Sequence, residues 1–97
     1  MASKKIIFIT GANTGIGYAL VEALLSSSKP YHVIVGSRSL DKGQEAIDAL
    51  KKQYSDSASS LELVQIDITS DESILTAFQT ISHSHDRLDA LVNNAGT

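Results

Sequence analysis

The segment Thr10-Gly11-Ala12-Asn13-Thr14-Gly15-Ile16-Gly17 leaves the apolar run Ile6-Ile7-Phe8-Ile9 and enters Tyr18-Ala19-Leu20-Val21. That is a strand, a glycine turn and a helix start in one stretch. Glycine lets the backbone turn at positive φ and lets main chain approach a ligand with no Cβ in the way. The first N–H groups of the helix that follows have no intrahelical acceptor and stand at the positive end of its dipole. Strand, glycine turn and helix in this order therefore make a cradle for phosphate.

The rest of the chain supplies a sheet to hold that turn. Four apolar runs, Lys5 to Thr10, Tyr31 to Ser37, Leu61 to Asp67 and Leu88 to Asn94, alternate with three helical patterns. Alternation of this kind predicts α/β architecture, a parallel sheet covered by helices in three layers. In the first helix Ile16, Ala19, Leu20, Ala23 and Leu24 recur at helical spacing, and Pro30 lies just beyond its end. The second runs from about Leu40 to Tyr54, with Ser39 as N-cap and Gly43, Ala46, Ile47 and Leu50 as its apolar face. The third is announced by Thr69 and Glu72 at capping-box spacing and is expected to bury Ile74, Leu75, Phe78 and Ile81. Right-handed crossovers give the strand order 3-2-1-4, the first half of a doubly wound, Rossmann-type sheet with the glycine turn beside its switch point. The polar connector from Ser55 to Ser60 is assigned no function.

The glycine spacing is Gly-X3-Gly-X-Gly, and Asn93-Asn94-Ala95-Gly96 follows about eighty residues later. Together these motifs resemble the short-chain dehydrogenase/reductase family, and Arg38 with the helix Gly43-Gln44-Glu45-Ala46 looks like its carbonyl reductase branch. The resemblance covers all 97 residues but only the first part of such a protein. It implies a dinucleotide-binding domain over residues 1–97 whose catalytic half lies beyond the Asn-Asn-Ala-Gly strand.

In the cradle, Gly11 makes the turn, Gly15 admits the phosphates, Gly17 lets the helix close on the sheet and the Ile16 N–H points at the pyrophosphate. Asn13 and Thr14 belong to the same loop. A carboxylate at the end of the second strand would accept from a ribose 2′-hydroxyl and repel a 2′-phosphate. Here Gly36-Ser37-Arg38-Ser39 offers none. A guanidinium suits a phosphate, so Ser37 and Arg38 favour NADP(H) over NAD(H). The other reading of Arg38 is a solvated arginine beside a carboxylate such as Asp41. The resemblance adds that many NADP-using relatives carry a second basic residue where this chain has Thr14. It also gives Asp67 and the Ile68 backbone to the adenine ring, and Asn94, Ala95 and Gly96 to the adenosine ribose. Asp67 as a cap for nearby N–H groups is the alternative. The resemblance makes Thr10 a tie between the glycine loop and the Asn-Asn-Ala-Gly strand. Asn93 is expected to be a buried cross-strand tie, since an amide inside a sheet must find partners.

Reductases of the family use a serine and a Tyr-X3-Lys pair. Tyr18 is followed four later by Glu22, Tyr31 by Val35 and Tyr54 by Ala58. No catalytic residue is therefore assigned. His83 and His85 project about 200° apart on a helix and are expected at the surface, so no metal ligand is assigned either. Asp86 and Asp89 are expected at a turn and at the entry to the fourth strand.

Eleven acidic and eight basic residues leave a net charge of -3 without a block of one sign, which argues against a nucleic-acid partner. The longest uninterrupted apolar stretch is four residues, far short of the ~20 that span a bilayer, so a cytoplasmic location is expected. Zero cysteines exclude disulfides and thiolate metal sites. The expected activity is hydride transfer between NADP(H) and a small carbonyl or alcohol, completed by residues outside this stretch. A stand-alone nucleotide-sensing module and an interaction domain with a vestigial cofactor loop are the alternatives.

Overall fold

A computed structural model describes residues 4–12, 15–85 and 87–94. Its elements follow the expected alternation: β1 (Lys5–Thr10), α1 (Gly15–Ser26), β2 (Tyr31–Ser37), α2 (Leu40–Gln53), β3 (Ser60–Gln65), α3 (Asp71–Ser84) and β4 (Ala90–Asn93). All strand pairs are parallel, in the order β3-β2-β1-β4. The chain steps one way across the sheet from β1 to β3 and then back across it to β4. Right-handed crossovers consequently put α1 and α2 on one face and α3 on the other.

Strand parity sorts the core between those faces. Ile9, Val33 and Val35 join Val21, Leu25, Ile47 and Leu50 under α1 and α2. Ile6, Phe8, Ile34, Val64 and Ile66 join Ala77 and Ile81 under α3. Phe8 is fully buried and meets Phe78 edge-on, ring centroids 5.8 Å apart. Burying one such side chain contributes about 1.5–3 kcal/mol.

α2 follows its pattern closely. Ser39 caps it by accepting from the Lys42 N–H, and Gly43, Ala46, Ile47 and Leu50 are its buried residues. The face of α1 departs from expectation. Gly17, Val21 and Leu25 are buried, whereas Ile16, Ala19, Leu20 and Ala23 are exposed. Gly17 decides this, because a Cβ there would stand 2.6 Å from the Gly11 carbonyl oxygen. The helix comes down on its glycine, and Val21 and Leu25, one and two turns further on, share that side.

At α3 the N-cap is Ser70, accepting from the Ser73 N–H at 3.2 Å, and not Thr69. Thr69 is drawn away because both its hydroxyl and its N–H donate to Asp67 Oδ1. The buried residues are Ala77 and Ile81, with Ile74 and Phe78 half-buried against the sheet, while Leu75 is 59% exposed. Both later strands are shorter than expected. β3 ends at Gln65 because Asp67 already turns into α3, its N–H donating to Ser73 Oγ. β4 starts only at Ala90, after Asp89 has accepted the Ile6 N–H on its carboxylate at 2.7 Å.

Candidate functional site

The carboxyl ends of the strands bring the glycine turn, Arg38, Asp67 and Asn94 to one end of the sheet. Gly11 and Gly15 both adopt positive φ, 64° and 62°, where a side chain would be strained. An added Cβ at Gly15 meets nothing within 4 Å, so this residue faces open space that a phosphate can enter. The first turn of α1 carries no acidic residue, which leaves its positive end uncompensated. Ile16, in that turn, is 73% exposed.

The loop is held to the strands on both sides. Ala12 N–H donates to the Gly36 carbonyl at 3.1 Å, anchoring it on β2. Towards β4, Thr10 Oγ1 donates to Asn93 Oδ1 at 3.1 Å and accepts from the Asn94 N–H at 3.0 Å. Asn94 Nδ2 then donates to the Gly11 carbonyl at 3.2 Å. Thr10 thus makes the expected tie. Asn93 makes it from an exposed position, not a buried one, because β1 is the only strand beside β4 among the described residues.

Arg38 is exposed just past β2. Hydrogen bonds from the Thr69 hydroxyl and then the Thr69 N–H hold the Asp67 carboxyl below its ordinary pKa, with a smaller contribution from the Arg38 charge. Asp67 therefore does cap backbone, and its charge still stands next to Arg38. Ser37 lies at the end of β2 beside Arg38. Its side chain is buried and its hydroxyl donates to the Ser39 carbonyl at 2.8 Å, a commitment to the β2–α2 turn. Ile68 is half-buried against the α3-side core. Asn13, Thr14, Asp86, Ala95 and Gly96 lie outside the described residues.

A groove of about 430 Å³ between β3 and α3 competes for attention. Its lining includes Gln65, Glu72, Thr76 and Thr80 and carries no cation, which makes it unsuited to a diphosphate. Tyr54 donates to Glu22 Oε2 at 3.0 Å, and burial followed by that bond raises its pKa, away from the working range.

One cluster escaped the sequence reading. His85, expected free at the surface, is half-buried with Nε2 2.9 Å from Glu62 Oε1, and His32 Nε2 stands 2.7 Å from the same oxygen. Burial pushes the Glu62 carboxyl up, and the hydrogen bonds from both histidines outweigh it, so its pKa is lowered. His83 is exposed as expected. Positions 32, 62 and 85 share no local motif. The signal that finds them is parity within the register: His32 and Glu62 lie on the α3 face with Ile34 and Val64, and His85 is the first residue past α3.

A parallel sheet of order β3-β2-β1-β4, with a glycine turn and a bare helix start at its reversal, defines an α/β fold of the dinucleotide-binding type. The chain belongs to the short-chain dehydrogenase family, whose model matches residues 5–97. It is 38% identical over 96 residues to a short-chain dehydrogenase/reductase of Talaromyces stipitatus, covering 99% of this chain and 36% of that protein. Among solved structures, a menthone neomenthol reductase from Mentha piperita superposes with a TM-score of 0.87 at 34% identity, covering 99% of this chain and 33% of its own. An L-sorbose reductase from Gluconobacter frateurii, complexed with NADPH and L-sorbose, gives 0.80 at 30% identity, covering 98% and 34% respectively. The chain thus spans about a third of the length of the proteins it matches. Among the described residues, no helix is long and apolar enough to cross a membrane.

Proposed function

We propose that residues 1–97 form the NADP(H)-binding amino-terminal part of an oxidoreductase that interconverts carbonyl compounds and alcohols by hydride transfer, acting in the cytoplasm. The observation that carries this reading is the glycine turn tied through Thr10 to Asn93 and Asn94, with the Arg38 guanidinium exposed at the end of the neighbouring strand. The open space at Gly15 and the bare start of α1 fit a pyrophosphate. Arg38, with no carboxylate in Gly36-Ser37-Arg38-Ser39, fits the extra phosphate of NADP(H). Asp67 and the Ile68 backbone receive the adenine, while Asn94, Ala95 and Gly96 lie along its ribose. NADPH in the sorbose reductase structure supports the same cofactor. The bound dinucleotide supplies the hydride. This stretch binds and orients it.

The test titrates NADPH and NADH by fluorescence into the chain and into the complete reading frame that contains it. NADPH binds more tightly in both, and only the complete frame oxidises NADPH with an aldehyde or quinone. Equal affinities in the complete frame overturn the choice of NADP(H), and turnover by residues 1–97 alone overturns the division of labour. Gly15→Val removes binding, both by straining backbone held at φ 62° and by projecting a branch into the phosphate space. Retained binding with a native circular dichroism spectrum would return the loop to an ordinary turn.

A further inference from the structure

The amino ends of β2 and β3, at the far end of the sheet from the glycine turn, hold a second constellation. His32 comes from β2, Glu62 from β3 and His85 from the C-cap of α3. The two imidazole Nε2 atoms and a Glu62 carboxylate oxygen all lie within 4.8 Å of one another. The rings are tilted by 47° with centroids 4.9 Å apart, so both Nε2 atoms converge on one carboxylate oxygen instead of stacking. His32 Nδ1 is 2.7 Å from Ser60 Oγ, which fixes the ring and leaves Nε2 for the cluster.

We propose that His32, Glu62 and His85 bind a divalent transition metal ion, zinc by the chemistry of the donors, and that the ion clamps the end of α3 onto β2 and β3. Two imidazoles and a carboxylate form a borderline donor set that takes Zn²⁺, and Co²⁺ as its spectroscopic substitute. Bonds of about 2.0–2.2 Å in a tetrahedron place such donors roughly 3.3–3.6 Å apart. The present nitrogen-to-oxygen separations of 2.7 and 2.9 Å open to that span by small side-chain rotations. Such rotations are accessible to His85, which sits in extended backbone just after the helix. Ser60 acts as the outer partner that orients His32, as metal-bound histidines require. The side chains of His32 and Glu62 are 19% and 28% exposed, which leaves a path for the ion and room for a water as fourth ligand. Three elements far apart in sequence supply the donors, so binding favours the folded chain over the unfolded one.

Co²⁺ and Zn²⁺ alone, titrated into chelator-treated protein, test this in both the 97-residue chain and its complete reading frame. One Co²⁺ per chain binds with the visible absorption of tetrahedral cobalt, Zn²⁺ displaces it, and Zn²⁺ raises the melting temperature. His85→Gln and Glu62→Gln each weaken binding at least about tenfold, and Ser60→Ala weakens it by about tenfold. His83→Gln, altered on the exposed last turn of α3, leaves it unchanged. His85→Cys retains a ligand and adds a thiolate-to-cobalt charge-transfer band, a readout that loss of folding cannot mimic. No stoichiometric cobalt binding, an unchanged affinity in His85→Gln, or a missing thiolate band in His85→Cys leaves the cluster a hydrogen-bonded clamp only and overturns the proposal.

Discussion

The two ends of the sheet are built from different parts of the chain. At the carboxyl ends of the strands the working surface is main chain: the turn at Gly11 and Gly15, the start of α1, and the hydrogen bonds that Thr10 and Asn94 make to brace them. At the amino ends it is side chain: His32, Glu62 and His85 in one cluster, and Asp89 and Arg87 closing onto the Ile6 N–H and the Lys4 carbonyl in another. A surface of backbone depends on φ and on the absence of a Cβ, both of which are set by neighbouring residues in sequence. A surface of side chains depends on which strands lie beside one another and which way each residue faces. In the first, side chains such as Thr10 and Asn94 act by bracing the main chain, and in the second they are themselves the surface.

The largest expected effect cuts across that difference. Phe8→Ala empties a fully buried position in the middle of the sheet and should cost about 3–5 kcal/mol, a large share of what a domain of this size has. Chemical denaturation measures it, and dinucleotide and cobalt binding should fall in parallel. Loss of one alone would show that the ends do not rest on a common core.

Arg38→Ala should act at one end only. The preference for NADPH over NADH narrows by about 1–3 kcal/mol, the range for losing a charge-assisted pair, while cobalt affinity stays constant. An unchanged preference would remove Arg38 from the cofactor site.

A smaller loss, about 1 kcal/mol of stability, is expected for Thr10→Val, which keeps the shape but deletes the hydroxyl that joins the loop to Asn93 and Asn94. Cofactor affinity falls with it as the loop loosens. Calorimetry with NADPH and with Co²⁺ on this variant reads both ends, and a purely local brace leaves cobalt affinity untouched.

The smallest effect is one of pH. The Ile6 N–H, and secondarily Arg87, hold the Asp89 carboxyl below its ordinary value. A carboxyl with a lowered pKa in the folded state stabilises above its unfolded pKa and loses that contribution as pH falls through the folded one. Melting temperatures of the parent and Asp89→Asn should therefore differ near neutrality and converge in the acid range below the ordinary aspartate pKa. A gap that stays constant with pH would show that the charge of Asp89 contributes nothing.

Much of this molecule is legible locally. The glycine spacing, the alternation of apolar runs with helical patterns, and the Ser39 cap with its Gly43, Ala46, Ile47 and Leu50 face are each decided within a few residues, and the structure keeps them. The departures occur where a distant contact outweighs a local pattern. Ile16 and Leu20 have the spacing of a helix face, but the close approach of Gly17 to Gly11 turns α1 so that Val21 and Leu25 meet the sheet. Thr69 has the spacing of a cap, but Asp67 engages it and Ser70 takes over.

The sequence by itself determined the parallel sheet, its strand order, the glycine cradle and the lack of a carboxylate within Gly36-Ser37-Arg38-Ser39. Those follow from backbone preference, from handedness and from residue identity at single positions. Tertiary structure alone decided which side of α1 faces inward, that Ser37 is sealed beneath α2, and that His32, Glu62 and His85 meet at all. Strand parity and pairing register carry residues from three remote elements to one point, and neither quantity is visible until the strands are laid side by side.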